Sequence, residues 1–327
     1  AAFCEVVGGA ARHWDVFVDV VVCVVGWDFV GVGRCVGPYD HCADAVAGRG
    51  VDDRFGRAVF GVAAGDAFEK RGDGMRDFAP SAVLRCRQLS VQFGSKTLVQ
   101  PFDWTVNEGE RWAVLGANGA GKTSVLHALL GVPVGEASAQ LSAVEMMGSS
   151  LAHVSVQTQA RRRVWVPQRY EEPFTITVGQ ALHSIAQSAT RYEVVAQLTQ
   201  FGLQSHAQAW VHQLSGGERQ RLTWAMAALR AQLSDGQTRL WLLDEPFSAQ
   251  DIAWQKRLLH FLSERDGAVV ATVHDLNQVR AFATHVLLLG EGGVLAQGTR
   301  TQVMQPEWLS RAFGVEIRLT EDGWVYW

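Results

Sequence analysis

Residues 1–74 of this 327-residue chain contain no leucine, isoleucine, serine, threonine, asparagine, glutamine or methionine. Leucine and serine are among the commonest residues of globular domains, so their joint absence over such a stretch is at odds with an ordinary selected fold. The composition changes abruptly at Met75, and residues 1–74 are expected to be translated sequence upstream of the true start; a cysteine-bearing regulatory extension is the alternative. Long apolar runs are also missing. The longest, Val20 to Trp27, is bracketed by Asp19 and Asp28 and falls far short of the roughly 20 residues that cross a bilayer. Neither a membrane span nor a secretory signal is expected, which points to the cytoplasm. A positive charge excess is absent too: the formal net charge is −4, so non-specific nucleic-acid binding is a poor expectation and no nucleic-acid partner is assigned. Of five cysteines only Cys86 lies beyond Cys42, and the spacing fits no zinc pattern.

From about Ala82 short apolar strands alternate with helical stretches, as in an α/β domain with a mostly parallel sheet. Leu84–Gln92 and Thr97–Val106 read as two strands joined around Gly94, a small antiparallel sheet beside the main one. Val178 to Leu214, rich in Ala, Gln and Leu, reads as part of a helical insert spanning about 175–230. Near the end, Val315, Ile317 and Leu319 alternate with polar residues, and Asp322-Gly323 reads as a hairpin turn. The run Arg161-Arg162-Arg163 reads as a solvated face.

The chemistry begins where the strand Arg111–Leu115 meets Gly116-Ala117-Asn118-Gly119-Ala120-Gly121-Lys122-Thr123 and a helix from Ser124. Glycines at these positions let backbone N–H groups surround phosphate oxygens, and the helix directs its positive end at them. Lys122 can reach β- and γ-phosphates and the Thr123 hydroxyl can ligate Mg²⁺. The second constellation is Asp244-Glu245, at the end of the continuous apolar strand Leu240–Leu243. In open α/β sheets ligands bind beyond the carboxyl ends of strands, so Asp244 is assigned to Mg²⁺ and Glu245 to the attacking water. Two acids there could instead cap the next helix. Beside the phosphate loop, catalysis is the better reading.

Leu214-Ser215-Gly216-Gly217-Glu218-Arg219-Gln220-Arg221 resembles the signature of ATP-binding cassette ATPases and stands in the expected place, ahead of the Asp-Glu strand. Val166-Pro167-Gln168 looks like that family's glutamine loop, Ser248-Ala249-Gln250-Asp251 like its loop between subunits, and Thr272-Val273-His274-Asp275 like its switch histidine. The resemblance implies a P-loop NTPase core with a mostly parallel sheet, a small antiparallel β subdomain and a helical signature subdomain. It also implies a MgATP-hydrolysing homodimer in which Ser215, Gly216 and Gly217 meet the nucleotide held by the opposite subunit's residues Gly116 to Ser124. By the same resemblance Gln168 contributes to Mg²⁺ or the water, His274 to the γ-phosphate and Asp251 to the subunit boundary, while Phe93 takes the place of the aromatic that stacks on adenine. Gln250 departs from the pattern, which usually has leucine there.

The tail through Glu307-Trp-Leu-Ser-Arg-Ala-Phe-Gly314 resembles the ATPase subunits of bacterial importers for iron-siderophores, haem and vitamin B12. The implied setting is the cytoplasmic face of the inner membrane, with separate integral permease subunits as partners and a periplasmic binding protein acting indirectly. An exporter or lipoprotein-release ATPase with its own permease, or a soluble cassette switch, are the alternatives.

Overall fold

A computed structural model describes residues 82–93, 95–131, 137–139, 143–170, 172, 174–185, 188–234 and 236–327. The compositionally odd residues 1–74 lie outside this set. Strands β1 (Ala82–Phe93) and β2 (Lys96–Asn107) form a long antiparallel pair. Strand β3 (Arg111–Leu115) leads through the glycine loop into helix α1 (Lys122–Leu130). Three short strands follow, β4 (Ala137–Ala139), β5 (Val144–Met146) and β6 (Ser149–Ser150), then helix α2 (Val156–Arg162) and strand β7 (Arg163–Val166). The helical segment contains α3 (Val178–Ile185), α4 (Arg191–Gln200) and α5 (Gly216–Gln232). The chain then alternates through β8 (Leu240–Leu243), α6 (Ile252–Ser263), β9 (Ala268–Thr272), α7 (Leu276–Phe282), β10 (His285–Gly290) and β11 (Gly293–Thr299). Helices α8 (Arg300–Val303) and α9 (Pro306–Phe313) precede a terminal hairpin of β12 (Arg318–Leu319) and β13 (Val325–Tyr326).

The main sheet has the order β11-β10-β3-β9-β8-β7, with every neighbour parallel except the β10–β11 hairpin. Its strands β3, β9 and β8 are apolar apart from Arg111 at the start of β3 and Thr272 at the end of β9, because both faces are covered. Ala113, Leu115, Trp241, Leu243, Val269 and Ala271 face a core shared with the helical segment. Their neighbours Trp112, Val114, Leu240, Leu242, Ala268 and Val270 face a second core against the antiparallel sheet and α1. Trp224 and Trp241 each meet Phe261 edge-on, with centroids 5.9 and 5.7 Å apart. The sheet places the carboxyl ends of β3, β9, β8 and β7 along one edge, so four loops far apart in sequence open side by side.

The β1–β2 pair carries an irregularity between Cys86 and Leu89, where Gln88 takes φ 51°. The Asp103 carboxylate holds this left-handed residue by accepting from its backbone N–H at 2.7 Å. Among the arginines, Arg163 corrects the expectation of a solvated face. Its guanidinium donates to the carbonyls of Leu129 (2.8 Å) and Leu130 (2.6 Å), orphan acceptors at the negative end of α1, and to Gln159 Oε1. Burial lowers its pKa to about 10, and the side chain braces the helix that follows the glycine loop.

On the same helix His127 meets Trp165 edge-on at 5.2 Å, and its Nδ1 is buried without a hydrogen-bond partner. Burial lowers its pKa to about 4 from 6.5, so the folded state binds its proton more weakly than the unfolded chain does. Stability from this residue is therefore complete above the unfolded pKa and is lost as pH falls toward the folded one, by at most about 3 kcal/mol. Replacing His127 with phenylalanine keeps a ring against Trp165 and is expected to flatten that loss. Denaturant unfolding of both proteins at pH 7 and pH 5 measures the difference; parallel pH slopes would contradict it.

The C-terminal hairpin is tied to α7. Asn277 accepts from the Val325 N–H at 2.9 Å and donates to the Val325 carbonyl at 3.3 Å, while Arg280 lies 5.0 Å from the Trp324 ring centre.

Candidate functional site

The glycine loop is shaped by two close approaches. A Cβ on Gly116 would sit 2.6 Å from the Leu289 carbonyl, and one on Gly121, with φ 94°, would sit 2.9 Å from Val99 Cγ2. Side chains at either position would push the loop off β10 or β2. Gly121 is the N-terminal cap of α1, but no side chain accepts a hydrogen bond from the first turn and no acidic residue lies in it. Those N–H groups are left for an anion in front of the helix. Lys122 is folded beneath them, its Nζ donating to the carbonyls of Gly116 (2.9 Å) and Ala117 (3.1 Å). Burial lowers its pKa, and the nearby Glu245 and Asp244 oppose that shift. Ser124 follows in the first turn of the same helix.

Asp244 arrives from β8 only 3 % exposed. Its Oδ1 accepts from the hydroxyls of Thr272 (2.6 Å) and Thr123 (3.2 Å). Burial raises its pKa; the two hydroxyls and Lys122 partly offset this, while Glu245 adds to it. A buried carboxylate beside a threonine hydroxyl at the mouth of the phosphate loop is a hard-oxygen donor set, so the residues present fit Mg²⁺. Glu245 follows in the left-handed region, φ 47°, an uncommon conformation for a residue with a side chain. It is held there by Thr272, whose Oγ1 accepts from the Glu245 N–H at 2.8 Å, and by Gln220, which donates to the Glu245 carbonyl at 3.2 Å. Its carboxylate turns toward His274, with Oε1 2.5 Å from the ring Nε2.

Hydrogen bonds therefore link Thr123, Asp244, Glu245 and His274 into one group, with Lys122 close enough for the charges of both carboxylates to act on it. Sequence reasoning missed the hub of that group, Thr272, which is fully buried and bonds to both carboxylate-bearing residues. The signal was a lone hydroxyl ending the apolar run Ala268–Ala271. Gln168 stands just beyond β7 at the same sheet edge. Phe93, 48 % exposed, ends β1 opposite Lys96. Asp251 is the N-terminal cap of α6, accepting from the Trp254 N–H at 2.8 Å.

The signature turn lies against a different surface. A Cβ on Gly217 would be 3.0 Å from the Ala249 carbonyl, whereas one on Gly216 would meet open space. Ser215 and Glu218 form a capping box: the Glu218 carboxylate accepts from the Ser215 N–H (2.8 Å) and hydroxyl (2.7 Å). The Ser215 side chain holds its pKa low. An incoming phosphate would thus have to draw the Ser215 hydroxyl from Glu218.

A family model described as ABC transporter matches residues 99–248, from β2 through the glycine loop and the signature to Ser248. The hemin import ATP-binding protein HmuV of Deinococcus radiodurans is 32 % identical over 255 residues, covering 74 % of this chain and 94 % of that protein. The chain belongs to the ABC transporter family. The HmuV proteins of Jannaschia sp. (strain CCS1) and Bordetella pertussis are 31 % and 33 % identical, with 72 % of this chain covered in each case and 89 % and 93 % of theirs. Among solved structures, a chain of an inward-facing transporter assigned to the metal-chelate type aligns over 75 % of this chain and 95 % of its own with TM-score 0.57 at 24 % identity. An ATP-bound Atm1-family exporter aligns over 68 % of this chain and 40 % of its own, with TM-score 0.59 at 20 % identity. Both structures share the fold of this chain, which is an ATP-binding ATPase of the family with an α/β core and a small antiparallel sheet. Among the described residues no helix is long and apolar enough to cross a membrane.

Proposed function

We propose that this chain is the ATP-hydrolysing subunit of an importer for haem or a related metal chelate, working as a homodimer that encloses two MgATP molecules. The observation that carries the catalytic part is the hydrogen-bonded linkage of Thr123, Asp244, Glu245 and His274 through Thr272 at one sheet edge, with both carboxylates acting on Lys122 through their charge. Residues Gly116 to Ser124 bind the phosphates, with Lys122 exchanging its two backbone carbonyls for phosphate oxygens. Thr123 and Asp244 hold Mg²⁺, with Gln168 contributing; the ion supplies charge neutralisation at the phosphates. Glu245 orients the attacking water and accepts its proton. His274 keeps the Glu245 carboxylate aimed and turns to the γ-phosphate when nucleotide arrives. Phe93 offers a ring face to adenine.

The dimer reading rests on the signature. Gly217 packs beside Ala249 and Gln250 while Gly216 faces open space, and the helix end they form with Ser215 can take the γ-phosphate held by a partner's glycine loop. Asp251 then stands at the boundary between subunits. Import is supported by the hemin import proteins among the relatives. We place a permease docking face on α4, where Tyr192 and Val195, three residues apart, are 82 % and 40 % exposed. The chain would lie peripherally on the cytoplasmic face of the inner membrane, with a periplasmic binding protein as an indirect partner and no nucleic acid. Purification from detergent-solubilised membranes tests this: a polytopic permease should co-purify, and recovery with a soluble partner alone would refute transport.

A further inference from the structure

Gln250 stands where the family resemblance leads one to expect leucine, and its surroundings give the change a purpose. It is only 9 % exposed. Its Nε2 donates to the Gly217 carbonyl at 3.0 Å, at the start of the signature helix, and to Gln220 Oε1 at 2.8 Å. Gln220 in turn donates to the carbonyls of Glu245 (3.2 Å) and Pro246 (3.4 Å) and to the Ser248 hydroxyl (3.3 Å). Both atoms facing Gln250 Nε2 are acceptors, so the amide has one workable orientation. That orientation leaves Gln250 Oε1 buried with no hydrogen-bond donor. The turn it braces is unusual: Glu245 and Ala249 both adopt left-handed backbone, φ 47° and 56°. Such a turn persists only when its surroundings over-determine it.

We infer that Gln250 is a positioning residue that couples the two ATP sites, by fastening the signature helix to the strained turn that carries Glu245. The inference rests on the dimer reading above: the signature meets the partner's nucleotide, whereas Glu245 serves the chain's own. A shift of Gly217 on engaging phosphate is then transmitted through Gln250 and Gln220 to the Glu245 backbone. Leucine at 250 fills the space but donates no hydrogen bond, so it leaves the fold intact and cuts the link.

The test uses the full chain carrying Gln250→Leu, Gln220→Leu or both, with ATP turnover measured across nucleotide concentration and the unfolding midpoint measured alongside. For Gln250→Leu the expected result is a midpoint within a few degrees of wild type, since one unpaired buried oxygen, Gln250 Oε1, is exchanged for another, Gln220 Oε1. KM should stay within about twofold and kcat should fall about five- to tenfold, the scale of one or two lost hydrogen bonds. The Hill coefficient should drop from about 2 toward 1. The double variant should be no worse than the more impaired single one, since both substitutions cut the same link. Wild-type turnover and cooperativity in Gln250→Leu would overturn the inference. So would a kcat loss accompanied by a midpoint lowered beyond that range, because Gln250 would then be merely structural. If the wild-type chain hydrolyses ATP with no cooperativity and never dimerises, the dimer reading itself has failed.

Discussion

Glu245→Gln is expected to lower kcat for ATP hydrolysis by about 10³-fold, within the range for removing a general base, while ATP still binds. The substitution is nearly isosteric, and the residue's backbone is held by Thr272 and Gln220 rather than by its carboxylate. The strained turn should therefore survive. The Gln side chain can still meet His274, but it cannot accept the proton of the attacking water. With hydrolysis blocked and binding intact, the ATP-bound state should accumulate, which single-turnover measurements with radiolabelled nucleotide would detect. Unimpaired turnover in the variant would remove Glu245 from the chemistry.

Asp244→Asn separates function from stability in the opposite sense. Burial raises the Asp244 pKa, so the folded state binds its proton more tightly than the unfolded chain and the ionised form costs stability at neutral pH. An asparagine Oδ1 can accept the same hydroxyl hydrogen bonds from Thr272 and Thr123 without the charge. In the absence of nucleotide the unfolding midpoint should be unchanged or higher, by about 2–4 °C for each kcal/mol recovered. Turnover should nonetheless fall by roughly 10²–10³-fold, because the proposed ligand for Mg²⁺ would have lost its charge. This combination identifies a residue kept at the expense of the fold for what it binds. A large drop in the midpoint would instead mean that Asp244 serves the core.

The elements closest to the chemistry were the most legible in the sequence. Arg111–Leu115 and Leu240–Leu243 are apolar runs ended by a glycine and an acid, and the structure gives strands with those bounds. The terminal hairpin was legible from Asp322-Gly323, with Gly323 at φ 75° in the turn. The strands β4 to β6 were not, because two- and three-residue strands carry no periodicity of their own. What composition and spacing could not supply was lateral order. Thr272 meets Asp244 because β9 lies beside β8, and it reaches Thr123 through that carboxylate because β9 also lies beside β3. Neither adjacency is visible along a chain in which Thr123 and Asp244 are far apart. The same limit hid the Gln250–Gln220 link and the clamp of Asn277 on Val325. Arg163 was misread for a different reason: a run of like charges suggests solvent, but orphan carbonyls at the end of α1 supplied three acceptors in a row with Gln159.

Two copies of this chain are proposed to close around nucleotide. The most direct test is the solution mass of full-length Glu245→Gln, measured by light scattering with and without ATP and Mg²⁺. The expected result is a dimer that forms only with ATP and Mg²⁺ and retains two nucleotides. A species that binds ATP and stays monomeric at every protein concentration would contradict the account.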